Sequence, residues 1–176
     1  MKIYTIGHSN RSFADFADLL DEYGIEVLAD VRRYPGSRKF PHFNREAMAD
    51  ALVERSIEYR WIEELGGRRH GDPDQESPNK AIESAGFRNY ADHMLTDEFR
   101  ETVEALLETA REKRLAVMCA EKLFWRCHRR LLSDYLTAQG AEVFHIMDLD
   151  NFQPHKLSRE AVVTDERKVI YPPEEA

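Results

Sequence analysis

The apolar residues of this chain change period along its length, and the change predicts its elements. Residues 2–6 place Ile3 and Ile6 in a short run closed by Gly7, which reads as a buried strand. Phe13, Phe16, Leu19, Leu20 and Tyr23 then recur at helical spacing. Ser12 is placed to cap that helix, with Asp15 as a capping-box partner and Gly24 as its stop. Residues 26–31 predict a second strand. An irregular stretch over 32–43 follows, broken by Pro35, Gly36 and Pro41. Asn44 is placed to cap a helix through residue 55, with Met48, Ala51 and Leu52 on one face. Residues 57–62 alternate as a third strand.

Residues 66–86 are polar and rich in Gly, Pro, Asp and Asn. They predict a mobile loop, with Gly66-Gly67 as the hinge of a lid. Helical spacing resumes near Phe87 and again after Thr96, with Phe99, Val103, Leu106, Leu107 and Ala110 inward. Residues 115–119 form a strand without charge. Residues 127–139 form a helix with Leu131, Leu132, Tyr135 and Leu136 inward and Gly140 as its stop, and residues 142–147 form the last strand. Such alternation predicts a single α/β domain over residues 1–148, with a mainly parallel sheet of about five strands and helices on its faces. Residues 149–176 are left as an unassigned C-terminal tail with apolar pairs at Val162-Val163 and Val169-Ile170.

Composition narrows the class. A chain of 176 residues can bury one ordinary core. With 42% apolar and 33% charged residues, collagen, coiled coil and general disorder are excluded. Two cysteines cannot staple a secreted scaffold. The longest apolar run, over residues 115–120, is far short of the roughly 20 residues of a membrane span. Met1 to Ile6 runs directly into Gly7 and His8, so no leader is expected. The expectation is a cytoplasmic protein with reduced thiols and no membrane partner. A net charge of -8 argues against coating nucleic acid by charge alone.

The distribution of charge changes that picture. Ligands of parallel α/β sheets bind beyond the carboxyl ends of the strands. His8, Ser9 and Arg11 follow the first predicted strand. Asp30, Arg32, Arg33, Ser37 and Arg38 follow the second, Arg68 and Arg69 the third, and Cys119, Glu121, Arg126, Cys127, His128, Arg129 and Arg130 the fourth. Parallel strands would gather these groups on one edge. Arg32, Arg38 and Arg129 suit a phosphate or carboxylate, and Ser9, Ser37 and His128 would line the same site. Cys127 and His128 would lie in the first turn of a helix, where free N–H groups favour an anion. Each cluster can also be read as solvated surface charge or ordinary turn chemistry. No GxxxxGK[ST] phosphate loop occurs.

Cys119 and Cys127 admit three readings. One is a nucleophilic or redox-active thiol, activated by nearby arginines, with His8 as its base. Another is a metal drawing on Cys119, Cys127, His128 or His8, although the spacing matches no standard zinc pattern. The third is a pair of small buried apolar residues. Asp30 and Glu121 are candidate acid or base groups, or Asp30 is a structural partner of Arg32. Tyr34, Phe40, Phe43, Trp61 and Trp125 interleave with the basic turns and could stack nucleic-acid bases, or pack in the core.

Taken in order, Thr5-Ile6-Gly7-His8-Ser9, Asp30-Val31-Arg32 with Pro35 and Ser37-Arg38, Leu65-Gly66-Gly67, Phe87 with Tyr90-Ala91 and Met94, and Cys119-Ala120-Glu121 with Cys127-His128-Arg129 closely resemble the domain-of-unknown-function family 488. The likeness runs over residues 2–147. It implies a single small α/β domain in a microbial protein and brings no activity with it. A weaker likeness is to rhodanese-type sulfurtransferases and cysteine phosphatases, which also place a Cys after a strand and before an anion-binding loop. Here that loop is longer, and Trp125 stands where the phosphatases have arginine.

These readings converge on an intracellular enzyme that binds a phosphate-bearing substrate, a nucleotide or nucleic acid, in an Arg-rich cleft. Cys119 or Cys127 would carry the chemistry, with His8, Asp30 or Glu121 as acid or base and no cofactor required. The alternative is a non-catalytic module binding nucleic acid or a metal through the same residues.

Overall fold

The computed structural model describes residues 1–174. Strands β1 (Lys2–Gly7), β2 (Val27–Asp30), β3 (Glu58–Trp61), β4 (Leu115–Cys119) and β5 (Glu142–Asp148) are all parallel to one another. A sixth strand, β6 (Asn151–Pro154), folds back antiparallel on β5. The sheet order is β3-β2-β4-β1-β5-β6. This is the expected mainly parallel α/β sheet, with one strand more than expected because the chain after Asp148 turns back on the exposed edge of β5.

Helices α1 (Phe13–Glu22) and α2 (Arg45–Val53) cover one face, and α3 (Ala85–His93), α4 (Asp97–Glu112) and α5 (Arg129–Ala138) cover the other. Ser12, Ser84 and Thr96 cap α1, α3 and α4 through their side-chain oxygens. Asn44 precedes α2 but spends its side-chain oxygen on the Ser37 N–H. β2 and β4 are buried on both faces, as central parallel strands must be.

Period-2 alternation sorts the strand residues between the two cores. Tyr4, Ile6, Leu28, Ala116 and Met118 meet α1 and α2. Ile3, Val27, Ala29, Val117 and Cys119 meet α3, α4 and α5. The tail belongs to this second core: a two-stranded ribbon, β7 (Val162–Val163) with β8 (Val169–Ile170), delivers Val169 and Tyr171 into it. Tyr171 is fully buried and donates its hydroxyl to Asp134 on α5 at 2.7 Å. Among the described residues, no helix is long and apolar enough to cross a membrane.

Two glycines set the edge where the five parallel strands end. A Cβ on Gly7 would lie 1.9 Å from the Glu121 carbonyl oxygen, so the loop after β4 can cross β1 only at glycine. A Cβ on Gly66 would meet the Arg33 backbone at 2.8 Å. Gly66-Gly67 therefore permits close packing of loop on loop. We predict that Gly7→Ala displaces the Glu121 loop and destabilises the protein by about 1–3 kcal/mol. Urea denaturation at unchanged m-value measures it, and an unaltered midpoint would contradict the close approach.

Candidate functional site

At the carboxyl edge of the sheet lies a cleft of about 900 Å³. The ends of β1, β2 and β4 and the loops after β2 and β3 open into it, because parallel strands end on the same side. His8, Ser9, Arg32, Ser37, Cys119, Glu121, Cys127 and His128 line it together. Arg38 is exposed and is not among its lining residues, and Arg129 lies beneath its wall, buried.

On the α1–α2 side, Asp30 and Arg32 form a buried bidentate pair: Arg32 Nε donates to Oδ1 at 2.9 Å and Nη2 to Oδ2 at 2.7 Å. Tyr59 also donates its hydroxyl to Asp30. This satisfies the carboxylate and leaves Arg32 Nη1 facing His8 Nε2 at 3.4 Å. His8 donates from Nδ1 to the Ser9 carbonyl at 2.8 Å and stacks on Phe43. Burial, with Arg32 nearby, pushes its pKa down to about 4. Both hydrogen bonds of the ring lie on its own side of the sheet, and neither reaches a sulfur.

On the other side, the two cysteines face each other with Sγ atoms 3.1 Å apart. Helix α5 begins at Arg129 with His128 at its N-cap, two residues later than expected. Cys127 instead stands in extended backbone before it, and its sulfur accepts the Arg129 backbone N–H at 3.3 Å. The thiol thereby does the work of a capping side chain. The Arg129 guanidinium donates from Nε to Cys119 Sγ at 3.0 Å, from Nη1 to Thr5 Oγ1 at 3.0 Å and from Nη2 to the Glu121 carbonyl at 2.6 Å. Its electrostatic partners are the two sulfurs, and no ion pair joins it to a carboxylate among the described residues. The Cys119 hydrogen bond, together with Arg129, lowers the Cys127 thiol to about 6, while burial pushes Cys119 up. The two shifts run in opposite directions, so of the two sulfurs Cys127 is the one on which negative charge is favoured.

Arg129 also anchors a buried hydrogen-bond chain that sequence reading did not anticipate. Thr5 Oγ1 lies 2.6 Å from His145 Nδ1, His145 Nε2 lies 2.8 Å from His155 Nδ1, and His155 Nε2 lies 2.7 Å from Asp134 Oδ1. Arginine can only donate and a carboxylate can only accept, so with neutral imidazoles every bond in the chain points from Arg129 to Asp134. Phe124 stacks on His145, with ring centroids 3.6 Å apart. Burial and the neighbouring His155 and Arg129 press the His145 pKa down to about 2, which keeps it neutral.

The remaining candidates serve the walls. His128 donates from Nε2 to the Val31 carbonyl at 2.9 Å, with its ring against Gly67, and burial lowers its pKa to about 4. Ser37 Oγ accepts the Phe40 N–H at 3.0 Å. Ser9 sits at positive φ (54°) with its N–H donating to the Ala120 carbonyl. The Glu121 carboxylate accepts the Leu123 N–H and is exposed. The cations lining the cleft without an ion pair among the described residues are Arg33, Lys39, Arg68 and Arg126. Their turn positions were the signal in the sequence; which arginines would be consumed by internal partners was not. Among the described residues, no group of three or more His, Cys, Asp or Glu is gathered as a metal would require. His8 and His128, the histidines considered as ligands beside the two sulfurs, each donate to a backbone carbonyl.

A family model described as domain of unknown function DUF488 matches residues 12–136, and the chain belongs to that family. The match spans Asp30, Arg32 and both cysteines. No curated protein and no solved structure matches the chain.

Two predictions follow from the geometry. Thr5→Val removes the acceptor for Arg129 Nη1 and leaves a buried donor unpaired. It should cost about 1–3 kcal/mol of stability and raise the Cys127 midpoint by about half a unit, with Thr5→Ser restoring both. Thiolate absorbance against pH reads the second effect, and an unmoved midpoint would show that Thr5 does not position Arg129. His8, His128 and His145 are held neutral, so below pH 6.5 the unfolded chain takes up protons the fold refuses. Stability should fall as pH drops from 6.5 toward 4. The slope for each histidine is up to about 1.4 kcal/mol per pH unit. Urea midpoints that stay level between about pH 7 and about pH 5 would contradict this.

Proposed function

We propose that this protein is a thiol-dependent enzyme of the cytoplasm that acts on a phosphate-bearing substrate seated in the strand-end cleft. The observation that carries the reading is the Cys119–Cys127 contact beneath a buried Arg129 whose electrostatic partners are sulfurs. A buried cation needs a counter-charge, and a thiolate at Cys127 supplies it. Cys127 is half-buried and lines the cleft, so it is the nucleophile, while Cys119 beneath it keeps its proton. Arg33, Lys39, Arg68 and Arg126 contribute the positive field that would hold the phosphate. The buried Asp30–Arg32 pair and neutral His8, whose Nε2 accepts from Arg32 Nη1, form the opposite wall.

A second reading rests on the rim. Tyr34 and Trp125 are 63% and 46% exposed, and the Arg33 guanidinium lies 5.8 Å from the Tyr34 ring centroid. Exposed aromatics beside arginines suit single-stranded nucleic acid, with or without chemistry.

Iodoacetamide labelling separates the readings. Cys127 should react before Cys119, with a midpoint near pH 6. Inorganic phosphate or a nucleoside monophosphate should slow the reaction, and Arg33→Ala with Arg68→Ala should weaken that protection by about tenfold, equivalent to 1.4 kcal/mol. Labelling at the rate of an ordinary thiol removes the nucleophile. Salt-dependent oligonucleotide binding that survives Cys127→Ser would favour the binding module instead.

A further inference from the structure

We infer that Cys119 and Cys127 form a reversible dithiol–disulfide couple that exchanges with small disulfides, Cys127 attacking and Cys119 resolving. The inference rests on the Cys127 nucleophile of the proposed function and adds an activity to it.

Geometry assigns the two roles. A disulfide bond is about 2.05 Å long, so the sulfurs need to close by only about 1 Å. Cys119 ends β4, fixed between β1 and β2 by parallel ladders. Cys127 stands in extended backbone between a short 3-10 turn over Phe124–Arg126 and α5, so the movement falls to the loop side. Both cysteines line the cleft, but Cys119 is 3% exposed while Cys127 is only half-buried, so an incoming disulfide meets Cys127 first. The partner sulfur then waits directly beneath the bond that forms.

The exchange proceeds in two balanced steps. The Cys127 thiolate attacks one sulfur of a substrate R–S–S–R; the Cys127–S–S–R bond forms, the substrate S–S bond breaks, and RS⁻ leaves. Cys119 then attacks Cys127 Sγ; the Cys119–Cys127 bond forms, the mixed disulfide breaks, and the second thiol departs with the Cys119 proton. The protein loses two electrons, one proton and the thiolate charge, and the substrate is reduced to RSH and RS⁻. Arg129 suits this passage because it faces both sulfurs: its backbone N–H donates to Cys127 and its Nε donates to Cys119. Negative charge developing on Cys119 in the second step is therefore met by the same cation that supported Cys127 in the first. The basic residues of the cleft favour a disulfide that carries carboxylates.

Oxidised glutathione is the probe, with intact-protein mass spectrometry and a count of free thiols as readouts. The reduced wild-type chain should lose both thiols and two hydrogens of mass without retaining an adduct, and dithiothreitol should restore it. Cys119→Ser should instead hold one equivalent of mixed glutathione disulfide. Cys127→Ser should react on the order of tenfold more slowly than wild type. The wild-type measurements stand without the variants should either fail to fold. A wild-type chain that accumulates the mixed disulfide without closing it would overturn the couple while leaving the nucleophile intact. A chain that neither exchanges nor takes up iodoacetamide would overturn both.

Discussion

A cation buried without a carboxylate is the constraint around which this edge of the protein is organised. Arg129 is 1% exposed, and burial by itself disfavours its charge. Its guanidinium is kept charged by the two sulfurs, by Thr5 and by the Glu121 and Lys122 carbonyls. Those partners come from β1, β4, the loop after β4 and the segment before α5. One side chain thus ties together the elements that enclose the thiols. Within the proposed function, a thiolate at Cys127 supplies the counter-charge that dipoles alone offer poorly.

The parallel sheet explains how two unlike groups reach one cleft. Successive residues of a strand face opposite sides. Cys119 therefore joins the α3–α5 core, while Asp30 and the Arg32 side chain lie with Met48 in the α1–α2 core. In the middle of the sheet these groups would be separated by a layer of backbone. At the strand ends that layer stops, and both open into the same space. The Asp30–Arg32–His8 group and the Cys119–Cys127–Arg129 group are thus independent constructions sharing a boundary.

Charge follows the same division. The net charge of -8 is carried by outer surfaces such as α4, with Asp97, Glu98, Glu101, Glu104, Glu108 and Glu112. The cleft carries arginines and lysines, with Glu121 as the acidic residue of its lining. Within the proposed function, an acidic exterior around a basic recess favours a small seated anion over an extended duplex.

The sequence by itself determined the elements up to residue 148, the mainly parallel α/β sheet and the edge where its polar turns gather, and left the strands of the tail unassigned. Hydrophobic period distinguishes strand from helix locally, and parallel strands must end together. It also singled out both cysteines, Asp30, Arg32 and Arg129, because polar groups at the ends of apolar strands stand out against their surroundings. Tertiary structure alone decided which partners those residues take. Arg32 could be read as an anion holder or as a partner of Asp30, and Asp30 engages it; Arg129 was expected to hold an anion and is buried against sulfur; His8 lies on the side of the sheet away from Cys119. The chain from Thr5 through His145 and His155 to Asp134 joins residues up to 140 positions apart, so no local pattern could reveal it. Which side chain neutralises which depends on register and on the one-residue alternation of strands, and those are fixed only when the sheet closes.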